Sequence, residues 1–271
     1  MRKRTWICAL LLLVLGLGVI LYPPVSAAVN RRNGSYAIGE WQTLLEGLED
    51  SQLREQRDLA GAYNDALLSG GEPRDYASIL EFGSGVMGYI RIPAIGVDLP
   101  VYHGVSEEVL SRGVGHLPQS SLPIGREGDH AVLTGHTGLP SARLFTDLTK
   151  LKEGDLFFVR VLEEELCYAV DEIRVVLPDE AQALSPVPGM DLCTLVTCTP
   201  YGVNSHRLLV RGSRTELPAS PEEPSVPLPE EGDLSPLWLL LLLPPAGGIL
   251  LLKRYLDGRK KPAYNGKYLR R

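Results

Sequence analysis

The stretch TLVTCTPYGVNSHRLLVRG, Thr194 to Gly212, sets a cysteine and an arginine at the facing ends of two apolar runs. A cysteine that attacks a carbonyl needs thiolate character, a proton donor for the leaving group, and positive or N–H groups where the oxyanion develops. Cys198 closes the run CTLVTC and Arg207 opens the run RLLVRG, with eight residues between them that include Tyr201, Gly202 and Asn204. If the two runs pair as a hairpin, Cys198 and Arg207 are neighbours on strands about 4.8 Å apart. The guanidinium would then hold a substrate carbonyl or its oxyanion and favour the thiolate. A small apolar residue at a strand end and a surface cation on an edge strand satisfy the same spacing, which leaves the two readings level.

Five histidines compete for the acid/base role: His103, His116, His130, His136 and His206. His136 follows the run HAVLTG and precedes a Thr-Gly-Leu-Pro loop, where a side chain is exposed at a sheet rim. His206 adjoins Arg207, so strand alternation sends it to the opposite face. His103 and His116 stand beside glycines and read as turn or surface residues. Spacing does not choose among the five. Cys193 and Cys198 are five residues apart on one run and point to opposite faces, which argues against a local disulfide. Cys167 and Cys193 read as small core residues. Nothing resembles a CxxC metal pair, and no metal or cofactor is implied.

The elements that must position these residues change character along the chain. Ser35 to Leu68 has apolar residues at helical spacing and predicts one or two amphipathic helices, stopped by Ser69, Gly70, Gly71 and Pro73. From Val86 the period shortens: VMGYIRIP, GVDLPVYHG, HAVLTG, DLFFVRVL, LCYAVDEIRVVL, LCTLVTC and HRLLVRG are short, rich in β-branched and aromatic residues, and separated by Gly, Pro or Asp. Seven or eight strands without long helices between them predict a sandwich or a closed barrel. One short helix, SEEVLSR, with Ser106 as its cap, is expected among them. Residues 216–233, with five prolines, read as an extended stalk.

Charge is distributed unevenly. The chain opens MRKR before the apolar run Trp6 to Tyr22, and ends in a 19-residue basic tail after a second apolar run, Leu237 to Leu252. Both runs are candidate membrane spans, and the positive-inside rule puts both ends in the cytoplasm. VSA at Val25 to Ala27 also resembles a signal-peptidase site, which makes cleavage of the first run the second reading. The basic ends hold eleven of the chain's 27 cations and one of its 33 acids, which leaves 16 cations against 32 acids between them. So acidic a segment repels nucleic acid and anionic lipid, and neither is an expected partner.

Together with VLTGHTGLPSARLFTDLTKLKEGD, GVMGYIRIPAIGVDLPVYHG and GVGHLPQSSLPIG, the TLVTC run followed nine residues later by Arg207 resembles a class C sortase, the pilin-polymerising type of Gram-positive bacteria. The match runs from about Gly85 to Arg214. The resemblance implies a mainly β fold, a closed sortase-type barrel of about eight strands, with His136, Cys198 and Arg207 in the places of the catalytic residues. It implies that Cys198 cleaves an LPxTG-like sorting signal between Thr and Gly and passes the acyl group to a lysine of another pilin subunit. Anchoring of surface proteins to peptidoglycan and a non-catalytic tethered assembly module are the alternatives. The resulting organisation is a basic end (1–4), a membrane segment (5–22), a helical region with a lid-like loop (23–84), the barrel (85–215), the stalk (216–233), a second membrane helix (234–252) and a basic cytoplasmic tail (253–271). The catalytic domain is then extracellular on the cell membrane, with pilin subunits as partners and no nucleic acid.

Two departures from the family pattern stand out. SGGEPRDYASILEFGSG lacks the Asp-Pro-aromatic of the family's lid, which predicts an open pocket, and Thr137 follows the histidine where arginine is expected. LPEEG, Leu228 to Gly232, has the layout of a sorting signal, but Glu231 stands at the scissile threonine, so a plain stalk is the expected reading.

Overall fold

The computed structural model describes residues 2–180 and 184–218. Most of the stalk, LPEEG, the second apolar run and the basic tail lie outside the described residues. The chain divides into two units at Tyr22 and Pro23. Helix α1, Arg2–Glu46, runs through Pro23 and Pro24 without interruption, so the first expected amphipathic helix is not a separate element. Its apolar part is long enough to cross a membrane. Helix α2 spans Asp50–Leu68 and starts with a capping box between Glu49 and Gln52, which satisfies two amide donors that no helical carbonyl can reach.

Eight strands follow: β1 Val86–Ile92, β2 Val97–His103, β3 Val114–His116, β4 His130–Thr134, β5 Leu156–Val161, β6 Glu164–Val176, β7 Leu192–Thr199 and β8 His206–Thr215. They close in the order β1-β2-β3-β4-β7-β8-β6-β5, which settles the barrel against the sandwich. β3 is only three residues long, too short to show a period in the sequence. Helix α3, Glu107–Arg112, is capped by the Ser106 hydroxyl, which accepts from the Val109 amide. It makes the crossover that lets β2 and β3 pair in parallel.

Alternation decides what each strand buries. Met87, Ile90, Leu133, Val159, Tyr168, Cys193, Leu195 and Val210 fill the interior, and Trp41 of α1 is fully buried against it, its ring edge-on to Tyr89. Both Cys167 and Cys193 are buried free thiols, and burial raises the pKa of each. Gly88 sits at a bulge in β1, where an added Cβ would overlap the carbonyl oxygen of Arg160 on β5. Gly88→Ala must therefore pry open the β1–β5 pair that closes the barrel. A loss of about 3 kcal/mol is expected, read as a lower urea midpoint.

His103 and His116 correct the sequence reading. Neither is a surface residue: His103 lies in β2, and His116 is fully buried in β3. What covers them is remote in sequence. The Tyr76 ring stacks on His116 and meets His103 edge-on; its hydroxyl lies 3.0 Å from His116 Nδ1 and accepts from the Gly104 amide. His116 Nε2 donates to the Ser121 carbonyl, and burial pulls its pKa down to about 4. His103 Nε2 donates to the Ile79 carbonyl, and Leu80 beside it is fully buried. The segment 71–82 is thus tied to the β2–β3 side of the barrel.

A buried carboxyl gives a pH test. Asp191 accepts from the Tyr168 hydroxyl at 3.0 Å, while its other oxygen is buried without a partner. Burial raises its pKa to about 6. The folded state then binds more protons than the unfolded state between about pH 4 and 6, so stability falls as pH rises through that window, and the cost is complete above it. Two units correspond to about 3 kcal/mol. Asp191→Asn still accepts from Tyr168 and should melt several degrees higher than the parent at pH 7.5; the gap should narrow by more than half at pH 4.5.

Candidate active site

Three neighbouring strands bring the candidate residues together. β7 and β8 pair antiparallel with Cys198 opposite Arg207 and Thr199 opposite His206. β4 and β7 pair in parallel with Thr134 opposite Val196, and the Gly135 amide donates to the Val196 carbonyl at 3.0 Å. His136 follows the paired end of β4 by two residues, as Cys198 follows Val196 by two on β7. Cys198 and Arg207 are thus register partners, and His136 lies in the loop just beyond β4.

Cys198 and Arg207 also share a face. Ala131, Leu133, Cys193, Leu195, Leu208 and Val210 point into the barrel. The alternate residues Val132, Val196 and Leu209 form a second apolar cluster with Val176, on the outside. Cys198 follows Val196 by two residues and Arg207 precedes Leu209 by two, so both fall on the outer face beside that cluster. His206 is on the opposite parity, as expected, with its Nδ1 2.8 Å from the Ser205 hydroxyl.

The local chemistry keeps each group available. Cys198 is partly exposed and free. Arg207 Nη1 donates to the carbonyls of Asn204 and His206 and pairs with no carboxylate among the described residues, so its fork is held in place with donors to spare. The His136 ring is mostly buried, and Nε2 lies 3.3 Å from Glu107 Oε2 at the start of α3, without hydrogen-bond alignment. Glu107 is exposed, and an exposed pair contributes about 0.2–1 kcal/mol. Glu107→Gln should accordingly slow turnover of a sorting peptide by less than about fivefold. A hundredfold loss would show that Glu107 acts on the reacting groups directly.

Spacing did not point to several residues that position these three. The Thr197 hydroxyl, facing inward, donates to the Gly135 carbonyl at 2.7 Å and so ties the segment before His136 to the strand of Cys198. An added Cβ at Gly135 would sit 2.7 Å from the Phe145 ring, whose own amide donates to the His136 carbonyl. Gly138 has φ +75° and lies against the exposed Tyr201 ring, so the loops after His136 and after Cys198 touch. The two Gly in TGHTG are the only trace of this in the sequence. Beyond its neighbours in sequence, the segment 71–82 hydrogen-bonds to Gln56, His103, Gly104 and His116, none of them among the three candidates.

A partly exposed cysteine opposite an arginine at the end of a closed eight-stranded barrel, with a histidine in the loop after β4, is a set of groups suited to cysteine acyl transfer. A sortase domain model matches residues 90–215. The chain is 46% identical to sortase C1 of Streptococcus agalactiae, whose crystal structure superposes with a TM-score of 0.65 and covers 68% of this chain and all of that one. A structure of Clostridium perfringens sortase C with the C-terminal cell wall sorting motif is 42% identical at a TM-score of 0.62, covering 66% of this chain and 98% of that one. Among curated proteins, sortase A of Streptococcus agalactiae serotype III (strain NEM316) is 24% identical over 72% of this chain and 78% of its own length. Sortase A of Bacillus anthracis is 34% identical over 47% of this chain and 59% of its own length. The chain belongs to the sortase family, the cysteine transpeptidases that act on sorting signals.

Proposed function

We propose that this sortase is a class C, pilin-polymerising enzyme in which Cys198 is the nucleophile, His136 the acid and base, and Arg207 the oxyanion partner. The reading rests on Cys198 standing opposite Arg207 across β7 and β8, with His136 just past the paired end of β4, and on the sortase C neighbours at 40–46% identity. The Cys198 thiolate attacks the threonyl carbonyl of an LPxTG-like signal, and the charge that develops on oxygen falls to the Arg207 guanidinium. His136 protonates the glycine amine as the peptide bond breaks, which leaves a thioester on Cys198. A lysine amine then attacks the thioester, His136 takes its proton, the thiolate leaves, and an isopeptide bond joins two subunits. The outer apolar cluster of Val132, Val176, Val196 and Leu209 supplies a dry floor next to the sulfur for the leucine and proline of the signal.

On this reading, residues 5–22 anchor the enzyme, 85–215 are the catalytic barrel, 216–233 are a stalk and 234–252 a second span, with both termini cytoplasmic and the barrel outside. The test is to incubate the full chain with candidate pilins and sorting peptides and to search by mass spectrometry for a Cys198 thioester and a lysine isopeptide. Both products are expected with a pilin pair. Transfer only to peptidoglycan amines would favour the surface-protein-anchoring alternative, and absence of a thioester with every partner would overturn the site assignment.

A further inference from the structure

One cleft among the described residues lies away from His136, Cys198 and Arg207. It has a volume of about 870 Å³ and lies between residues 27–35 of α1 and the barrel, at the start of β2 and the end of the connection that begins at His136. Its walls are held together by Asn30, whose Nδ2 donates to the Ser141 carbonyl at 2.8 Å. Arg31, Arg32, Arg112 and Arg143 line it, against two carboxylates, Asp98 and Asp147.

Charge pairing leaves a surplus of guanidinium. Asp147 is shared between Arg143 at 2.7 Å and Lys150 at 2.9 Å. Arg112 has only the exposed Glu108 at 3.6 Å and rests over the Tyr102 ring. Arg31 and Arg32 have no carboxylate partner among the described residues; Arg32 donates to the Tyr36 hydroxyl. Asp98 has Oδ1 buried without a partner, and burial favours its neutral form. In a segment with twice as many acids as bases, four arginines around one cleft run against the composition. Guanidinium forks match phosphate oxygens two by two, and an anion here would face four of them.

Chain length limits where that anion comes from. Arg31 is nine residues beyond Tyr22, the end of the apolar run, and nine residues reach at most about 30 Å when fully extended. With residues 6–22 in a bilayer, the cleft cannot leave the neighbourhood of the membrane surface. Ala27, Ala28, Val97 and Leu144 add carbon surface beside the charges, as a glycerol-bearing headgroup requires.

We propose that this cleft is a binding site for the phosphodiester headgroup of an anionic membrane lipid, held by Arg31, Arg32, Arg112 and Arg143. The inference uses the anchored reading of α1 but not the transpeptidase chemistry, and sedimentation of the full chain with phosphatidylcholine vesicles tests the anchor separately. To test the site, the full chain in neutral detergent is titrated with dihexanoyl phosphatidylglycerol, dihexanoyl phosphatidylcholine or inorganic phosphate, and bound ligand is read by native mass spectrometry. Phosphatidylglycerol should be retained where phosphatidylcholine is not. Its affinity should fall about tenfold or more in Arg31→Gln/Arg32→Gln and in Arg112→Gln/Arg143→Gln. Arg31→Lys/Arg32→Lys keeps the charge but loses the forks and should recover part of the affinity that Arg31→Gln/Arg32→Gln loses, which separates lost charge from lost folding. The exposed pair Arg57→Gln/Arg174→Gln, elsewhere on the surface, should change nothing; lipid held by the basic ends is common to all variants. Equal retention of the two lipids, unchanged affinity in both cleft variants, or an equal loss in the control would overturn the site. Binding of inorganic phosphate without phosphatidylglycerol would overturn the lipid as its source.

Discussion

Cys198→Ala should abolish thioester formation and lower transpeptidation by at least about 10⁴-fold, the scale at which loss of a catalytic nucleophile is felt. The reason is that neither Arg207 nor His136 can replace the covalent step; they act only on charge and protons that the attack creates. Stability should move by less than about 1 kcal/mol, because Cys198 is partly exposed near the end of β7 rather than in the core. The sorting peptide should still bind, since the outer apolar cluster beside the sulfur is untouched. The measurement is single-turnover mass spectrometry with enzyme in excess over peptide, paired with a binding titration. Cys193→Ala is the internal comparison: that thiol is fully buried inside the barrel, and its loss should cost stability but leave the chemistry intact. If the thioester persisted in Cys198→Ala, the nucleophile would lie elsewhere.

Arg207→Ala should lower the rate of acylation by about 10² to 10³-fold, or roughly 3–4 kcal/mol, as removal of an oxyanion donor does. The side chain donates only to carbonyls of its own loop, so its removal breaks no long-range contact and the fold should be retained. Arg207→Lys keeps the charge but loses the planar fork, and should recover only part of the rate. A purely structural role predicts a different pattern: melting temperature and rate would fall together, and lysine would rescue neither. The readout is therefore the acylation rate set against the melting temperature for both variants.

How much of this was legible depends on how far apart in sequence the cooperating residues lie. The contact of Cys198 with Arg207 was legible because an antiparallel hairpin with an eight-residue connection allows few registers, and the observed one sets them opposite each other. His136 was not. It lies just past the end of β4, which pairs in parallel with β7, a strand separated from it in sequence by β5 and β6, and spacing could not choose it from five histidines. Only the family resemblance pointed to it. The misreading of His103 and His116 has the same origin: a glycine neighbour is a local signal, whereas their cover is Tyr76, Ile79 and Leu80, supplied from another part of the chain. The first amphipathic helix was read correctly in type but not in extent, because Pro23 and Pro24 did not end α1.

By itself the sequence determined the strand and helix types, the inward parity of Cys193 and the outward parity of Cys198, and the pairing of cysteine with arginine. Each of these follows from a period of two, a helical stripe or a short turn, all of which act within a few residues. The strand pattern left barrel and sandwich open and the family resemblance pointed to the barrel, which the structure closes; the tertiary structure alone decided that β4 lies beside β7 and that α1 leaves an arginine-lined cleft against β2. Those outcomes depend on which distant segments share a surface. Parallel pairing and helix docking join residues whose separation in sequence carries no local signal of their contact.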